Sequence, residues 1–379
     1  MQDVLGNGDW LWLVPMASGS QEYSMRRPLT HNWFVFRVLF LVLAAAFMSS
    51  CASSKLERSA WQDNRIEMIW PQAPETPRIK LVRIIQGPDD VVTEKGAVGR
   101  FFDLMLGDKN EYLGFFTPHC IAADGNGLIY VADPSLGVVH KYNLASREIS
   151  YIVQAGTQRL GSPVGVVLDR QGNLYITDAQ RAAIYKFTAE GLFQKELDTK
   201  GILQRPTGIA INSRGEKIVA DTLANKVFVF SEDDQLKGEL NGPDFKEAFN
   251  MPTYVAVDAF DSVYVTDSMN FTIRIFDSAG KYLRSQGQIG DSPGSFARPK
   301  GIALDSDRNL YVLDAIFGNF QMFNQQGQLL LYVSQEGSRP GELMLPSGIF
   351  IDRDDRIYIA DTFNHRIQVY QYLKEKASK

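Results

Sequence analysis

One pattern recurs six times along this chain, at intervals of 43 to 47 residues. Each copy begins at a proline and carries, 15 residues later, an aspartate that closes a short apolar segment. The prolines are Pro118, Pro163, Pro206, Pro252, Pro299 and Pro346, and the aspartates are Asp133, Asp178, Asp221, Asp267, Asp314 and Asp361. A period of roughly 40 to 50 residues is typical of repeat architectures, in which each copy is one supersecondary unit. This repeat limits the possible folds more than any other feature of the sequence.

The copy at residues 346–372 is the clearest of the six. Its three segments 348–352, 357–361 and 366–370 are rich in Ile, Val and Tyr and alternate along their length. Such alternation indicates β-strands, because successive side chains of a strand point to opposite faces. Polar turn residues separate the segments. Each copy is therefore predicted to be a three-stranded antiparallel meander.

Six meanders, the first five each followed by a fourth apolar segment, predict an all-β fold: a six-bladed β-propeller of four-stranded antiparallel blades. Fourth segments follow the earlier copies, as at residues 151–156 and 329–337, but none follows the last copy. Residues 79–87, IKLVRIIQG, resemble these fourth segments. The N-terminal strand is therefore predicted to complete the last blade, because this closes the ring without an exposed edge.

The sequence motifs of the repeat resemble those of the NHL repeat family. The shared motifs are Pro-x-Gly-Ile-Ala, Tyr-Val-x-Asp and Asn-x-Arg-Ile, and the stretch Asn364-His365-Arg366-Ile367 matches the last of them closely. The resemblance covers residues 78 to 372 and implies one blade for each copy. RNA-binding members are a poor analogy, because the net charge is −5 and nucleic-acid partners usually require a basic patch.

The N-terminal region predicts a secreted lipoprotein. Residues 1–24 show no repeat or strand pattern and are interpreted as a non-native extension, so Met25 is the better start. A basic stretch to Arg37 precedes the apolar run 38–48, whose 11 residues fall short of the ~20 that span a bilayer. The residues that end at Cys51 resemble a bacterial lipobox, which implies a lipidated Cys51, and Ala52 after it suggests the outer membrane. A short uncleaved anchor is the alternative.

The remaining boundaries follow from this interpretation. Residues 25–50 form the signal peptide, 51–77 the lipidated cysteine and a Pro-ended tether, 78–372 the propeller and 373–379 a tail. An insertion at 88–117 carries an apolar cluster at 96–107, either a packing plug over the ring or a lid or partner-docking helix. Cys120, the other cysteine, is expected to be a small buried hydrophobe.

The repeated aspartates are expected to be structural. A carboxylate at the end of a strand can accept backbone N–H bonds from the turn that follows. Six equivalent copies indicate a repeated structural need, since a catalytic group is normally unique.

The resemblance also allows an enzyme to be considered. Peptidyl-hydroxyglycine amidating lyases have NHL-type propellers with zinc held by three histidines, some of them directly after such a proline. Only His119 lies at such a position here, whereas His140 belongs to a third strand and His365 to a loop, so no tetrahedral zinc site is predicted. Calcium-dependent propeller hydrolases use Glu, Asn and Asp, which the post-proline positions lack. No catalytic residue, metal or cofactor is predicted.

The face that carries the second-to-third strand loops and the prolines is the candidate ligand surface, because aromatic and Arg side chains are typical interface anchors. We expect an envelope-anchored, monomeric binding or scaffold module for a protein partner or a small ligand. The alternatives are an envelope lyase or hydrolase and the sensor domain of a signalling system. The candidate residues on this face are His119, Arg205, Phe271, Arg298, Lys300, Phe317, Phe320, Phe363, Asn364 and His365.

Overall fold

The structure is a computed structural model that describes residues 67–91, 113–240 and 248–374. These residues form a six-bladed β-propeller in which the innermost strands of neighbouring blades touch around a central axis. Helical structure in this part of the protein is confined to the short 3-10 turns Pro88–Asp90, Ser268–Asn270 and Thr362–Asn364. The predicted fold class is therefore confirmed. None of the helices described here is long and apolar enough to cross a membrane.

Blades 1 to 6 are numbered by the prolines that begin the copies, and each blade is an antiparallel sheet. Blade 1 has the strands Ile121–Ala123, Leu128–Asp133, Val138–Asn143 and Glu148–Ile152, and a small hairpin, Gln154–Ala155 with Gln158–Arg159, follows it. Blade 2 has Pro163–Leu168, Leu174–Asp178, Ala183–Phe187 and Phe193–Glu196. Blade 3 has Pro206–Ile211, Lys217–Asp221, Lys226–Phe230 and Leu236–Glu239.

The second half of the ring repeats this order. Blade 4 has the strands Pro252–Val257, Val263–Asp267, Thr272–Phe276 and Tyr282–Gln286. Blade 5 has Pro299–Leu304, Leu310–Asp314, Asn319–Phe323 and Leu329–Val333. Blade 6 has Ile349–Ile351, Arg356–Asp361, Arg366–Tyr372, Ile79–Ile85 and, outermost, Met68–Trp70.

The N-terminal strand closes the ring as predicted. Ile79–Ile85 pairs antiparallel with Arg366–Tyr372, in a register that places Ile79 opposite Tyr372 and Ile85 opposite Ile367. Its inward side chains enter the core, and Ile79 and Leu81 have no exposed surface. The first and last described segments of the protein therefore share one sheet.

The boundary of the predicted tether is wrong. Met68–Trp70 lies within the 51–77 segment, yet it pairs with Ile79–Ile85 as a fifth strand. The Trp70 ring lies 5.8 Å from the ring of Tyr370, and Met68 also packs against this core. The apolar Met68-Ile69-Trp70 run adds to the sheet because the blade's outer edge is otherwise open. The extension 1–24, the signal segment and Cys51 lie outside the described residues.

Burial falls from the axis to the rim of each blade. Each second strand of blades 2 to 5 is buried at all five positions, because neighbouring blades cover both of its faces. The fourth strand of blade 2, Phe193–Glu196, is instead exposed along its length. Large second-strand side chains such as Tyr175, Tyr311 and Tyr358 fill the space between blades. The core is thus a ring of inter-blade layers.

The insertion is described only at its ends. Phe115 is buried against blade 1, where its ring stacks 5.2 Å from that of Tyr142 and meets the edge of His140 at 4.9 Å. This end of the insertion packs on the ring. The apolar cluster predicted at 96–107 lies outside the described residues.

Glycine allows the innermost strands to approach one another. The second residue after the proline is glycine in four blades, and a Cβ there would lie 2.1 to 2.7 Å from a backbone atom of the next blade. Real Cβ atoms do not approach so closely, so any larger residue would push the blades apart. The four are Gly165, Gly208, Gly301 and Gly348. Blades 1 and 4 carry Cys120 and Tyr254 at this position instead.

Candidate functional site at the mouth of the central channel

The six repeated aspartates lie at one face of the ring, hereafter the upper face, and have no exposed surface. Each carboxylate accepts a backbone N–H from the loop that enters its blade, at 2.6 to 2.7 Å, as Gly161 donates to Asp178 and Met344 to Asp361. Several also bind the turn that follows, as in the bond from the Ala224 amide to Asp221. The repeated carboxylates therefore have a structural role, because they hold the backbone of the loops at this face in place.

Hydroxyl pairs join three of the blades to their neighbours. The residue after the proline and the residue after the aspartate contact each other through their hydroxyl oxygens, at 2.7 to 2.9 Å. The second of each pair donates to a carbonyl of the next blade, at 2.8 to 3.1 Å. The pairs are Thr207 with Thr222, Thr253 with Ser268, and Ser347 with Thr362. They seal the upper end of the innermost strands in blades 3, 4 and 6.

Tyr254 crosses the channel from blade 4 to blade 1. Its hydroxyl lies 2.9 Å from Nδ1 of His119, and the two rings are nearly parallel, with centroids 5.6 Å apart. Burial raises the pKa of the Tyr254 hydroxyl. Burial, followed by the positive charge of Lys300, lowers the pKa of His119 to about 3. Both groups are therefore neutral at physiological pH.

This bridge separates two different environments. The innermost strands enclose an apolar cavity of about 190 Å³, lined by residues such as Val166, Ile209 and Phe350 together with Tyr254 itself. The post-proline residues lie at the opposite, upper end of these strands, where the polar side chains collect. The channel therefore has a polar mouth above an apolar interior.

Three cationic side chains surround this mouth. Arg205 and Arg298 precede the prolines of blades 3 and 5, and Lys300 follows the proline of blade 5. Burial, together with the charges of Arg298 and Arg205, lowers the pKa of Lys300 to about 8. Lys300 and Arg205 also act on His119 of blade 1. Blades 1, 3 and 5 meet only at the axis, so these mutual influences place the three cations at the mouth.

An apolar crescent surrounds part of the mouth. The second residue after the repeated aspartate is a large exposed apolar residue in four consecutive blades: Leu223, Met269, Ile316 and Phe363, with exposed fractions of 46 to 60%. Met251 and Leu345, which directly precede two of the prolines, are also exposed. Blades 1 and 2 carry Ser135 and Gln180 at the equivalent position. The side chain at this repeat position is therefore apolar in blades 3 to 6 and polar in blades 1 and 2, although Leu136, the next residue of blade 1, is also exposed.

The structure brings together only part of the predicted surface. The prediction that Phe320 lies on this surface is wrong. Phe320 has no exposed surface and packs between Tyr311 and Tyr370, because its position in the third strand faces the neighbouring blade. Phe271 and Phe317 are half-buried. The Asn364 amide donates to Asp361 and to the Gly337 carbonyl, so it braces its own turn.

Two histidines outside the mouth contact the insertion. His365 is exposed and its Nδ1 contacts the Phe116 carbonyl. His140 is fully buried, with Nε2 3.6 Å from Asp133. No group of three or more His, Cys, Asp or Glu residues in the described part of the protein is arranged to hold a metal ion.

Sequence reasoning missed Tyr254 and the hydroxyl pairs. A signal existed for both. Tyr254 stands where four other copies have glycine, and Thr or Ser occupies both pair positions in the same three copies and in no other copy. Single positions within one copy do not reveal this correlation, whereas an alignment of the six copies does.

Comparison with known proteins agrees on the architecture. A family model described as "6-bladed beta-propeller" matches residues 254–320 and 306–376. A search of curated proteins finds no significant match. Among solved structures, a streptogramin B lyase is 13% identical with a TM-score of 0.54, and the alignment covers 69% of this protein and 95% of that one.

Two further structures show a similar degree of likeness. An inactive virginiamycin B lyase from Staphylococcus aureus, solved with quinupristin, is 16% identical with a TM-score of 0.51, and the alignment covers 67% of this protein and 84% of the lyase. A Bacteroides thetaiotaomicron protein of unknown function is 15% identical with a TM-score of 0.57, and the alignment covers 78% of this protein and 75% of that one. At such identities the likeness shows the fold alone, and the protein is a six-bladed β-propeller.

Proposed function

We propose that this protein is a binding module that captures a polypeptide partner on the upper face of its propeller. The observation that carries the proposal is the apolar crescent of Leu223, Met269, Ile316 and Phe363. Exposed apolar side chains that recur at one repeat position on one face form a patch, and such patches mark interaction sites. The cations at the mouth lie inside the crescent, so the partner combines apolar side chains with a negative group.

Loops on a rigid scaffold are suited to this role. The turns that carry the crescent are held by buried aspartates, as the Ile316 amide donates to Asp314 at 3.0 Å. Their side chains can change while the ring keeps its shape, because the braces are made by the backbone. We also propose that the repeats of this scaffold are of the NHL type, and the Asn364-His365-Arg366-Ile367 motif supports this proposal.

Phe363→Ala tests the proposal because the Phe363 ring is 60% exposed and contributes little to the core. Capture of the envelope partner by immobilised protein should weaken about thirtyfold, since truncating an interface anchor typically costs about 2 kcal/mol or more. The melting temperature should stay within a degree or two. Phe260→Ala is the matched control, because Phe260 is 66% exposed but lies in a first-to-second strand turn on the opposite face. Equal capture by both variants would refute the proposal.

We further propose that the protein is held at a bacterial envelope membrane, in the outer membrane, through a lipid on Cys51. The support is the apolar run 38–48 and the residues that precede this cysteine. Cys51→Ser should move the protein from the membrane fraction to the soluble fraction, because the run is too short to span a bilayer. Retention of the serine variant on membranes after a high-salt wash would contradict the lipid anchor.

A further inference from the structure

Blade 5 departs from its neighbours at the channel mouth. Blades 3, 4 and 6 fill their two mouth positions with hydroxyl pairs that bond to the next blade. Blade 5 has Lys300 and Ala315 at these positions. An alanine offers no acceptor to an ammonium group, so Lys300 gains no hydroxyl partner from its own blade at this position.

The cations at the mouth also lack negative partners. Within the described residues, no ion pair or side-chain hydrogen bond involves Lys300, Arg205 or Arg298. The repeated carboxylates of the same two blades, Asp221 and Asp314, already accept the backbone N–H groups of Arg205 and Arg298, at 2.9 and 3.1 Å. Placing like charges together at a half-buried site is unfavourable in the free protein. An anion at the mouth would remove this cost.

The three charges lie at different depths. Arg205 and Arg298 are exposed at the entrance of the mouth, whereas Lys300 is half-buried below them. The His119–Tyr254 bridge lies nearby and is neutral, so it adds no charge. A flat charged surface such as a bilayer can contact the two arginines at the entrance but not Lys300. A single anionic group that projects from a polypeptide reaches all three.

We propose that the mouth binds a carboxylate of the polypeptide partner, held by the Lys300 ammonium and flanked by the guanidinium groups of Arg205 and Arg298. This inference rests on the proposed upper-face binding and names the negative group involved. Guanidinium and ammonium groups form short, strong hydrogen bonds with carboxylates. The crescent then contacts the apolar side chains next to that carboxylate. The carboxylate comes either from the C-terminus of the partner or from one of its Asp or Glu side chains.

The test compares three peptide pools on the purified full-length protein. Each pool contains pentapeptides randomised over Leu, Phe, Met and Val. The first ends in a free carboxylate, the second in an amide, and the third in an amide with one internal Asp. Retention of the first or third pool, at least tenfold above the second, supports the inference and identifies the source of the carboxylate. Equal retention of all pools, or retention of none, overturns it.

Lys300→Gln should lower retention of the carboxylate pool at least tenfold and remove its advantage over the amide pool. The protein should remain folded, because the substitution removes a charge that lies among other cations. Lys281→Gln, at an exposed lysine on blade 4's outer hairpin, is the matched control and should change nothing. If Lys300→Gln does not fold, Arg298→Gln makes the same comparison. Unchanged retention in the folded variant overturns the inference.

The pH dependence provides an independent measurement. The charges of Arg298 on its own blade and Arg205 on blade 3 act on Lys300. The pKa of nearby His119 is lowered to about 3 and that of its partner Tyr254 is raised by burial, so neither member of the bridge changes charge near pH 8. The ammonium loses its proton as pH rises through about 8 in the free protein, so affinity should be constant from pH 6 to 7 and fall up to tenfold per unit above that. A flat profile to pH 10 overturns the inference.

Two further outcomes separate this inference from the proposed function. Binding of phosphatidylglycerol vesicles in place of the peptide pools would overturn the carboxylate site and identify a membrane surface instead. Loss of partner capture in Phe363→Ala, with no effect of Lys300→Gln, would leave the proposed function standing and refute only the carboxylate. Failure of the Phe363→Ala experiment would refute the proposed function itself.

Discussion

Removal of residues 1–87 will leave a protein that cannot form a stable monomeric ring, whereas removal of residues 1–66 will leave folding intact. The longer deletion removes Ile79–Ile85, the fourth strand of blade 6, and with it the side chains of Ile79, Leu81, Val82 and Ile85, all less than 9% exposed. Each aliphatic side chain that is buried on folding adds about 1.5 to 3 kcal/mol of stability. Four such losses approach the whole stability of a typical domain, about 5 to 15 kcal/mol.

A deletion of residues 1–77 should have an intermediate effect. It removes only Met68–Trp70, whose three residues are half-buried, and so costs a few kcal/mol at most. Thermal unfolding and size-exclusion chromatography of the three truncations check the order. The 1–87 deletion should also aggregate, because it exposes the edge of Arg366–Tyr372. A synthetic peptide of residues 78–87 should restore part of the lost stability. Equal melting of all three truncations would show that the N-terminal strand does not close the ring.

Gly348→Ala will destabilise the ring more than any single surface substitution. A Cβ at Gly348 would lie 2.1 Å from the carbonyl oxygen of His119, which lies just before the innermost strand of the next blade. The Cβ is attached directly to the backbone and the oxygen is itself a backbone atom, so neither can move aside as the end of a flexible side chain would. We expect a loss of about 3 kcal/mol, the upper part of the usual range for overpacking.

Gly114→Ala is the matched control for this substitution. Nothing lies within 4 Å of a Cβ at Gly114, and its backbone conformation is not one that favours glycine. The melting temperature should fall by roughly 5 to 10 °C for Gly348→Ala and remain unchanged for Gly114→Ala. The substitution should also disturb the His119–Tyr254 bridge in the channel, because Gly348 contacts the backbone of His119. A Gly348→Ala protein as stable as the wild type would show that the blades can separate at low cost.

The number and order of the strands could be predicted from the sequence for a physical reason. Each blade buries its second strand on both faces and leaves its fourth strand at the rim, so the apolar pattern and the Asp positions repeat whenever the unit repeats. The closing strand was also predictable, since residues 79–87 carry the pattern that the last copy lacks. The fifth strand was not, because Met68–Trp70 is only three residues long and lies among prolines.

The sequence by itself determined the six-fold repeat, the all-β architecture, the closure of the ring and the positions of the buried aspartates, because these depend on local periodicity. Only the tertiary structure decided which side chains meet at the axis. Tyr254 and His119 are 135 residues apart and contact each other because blades 4 and 1 lie on opposite sides of a narrow channel. Arg205 and Lys300 converge for the same reason, and Phe320 is buried because the neighbouring blade covers it. Such contacts depend on ring closure, which brings equivalent repeat positions of distant blades to one axis, and the side chains at these positions differ from copy to copy.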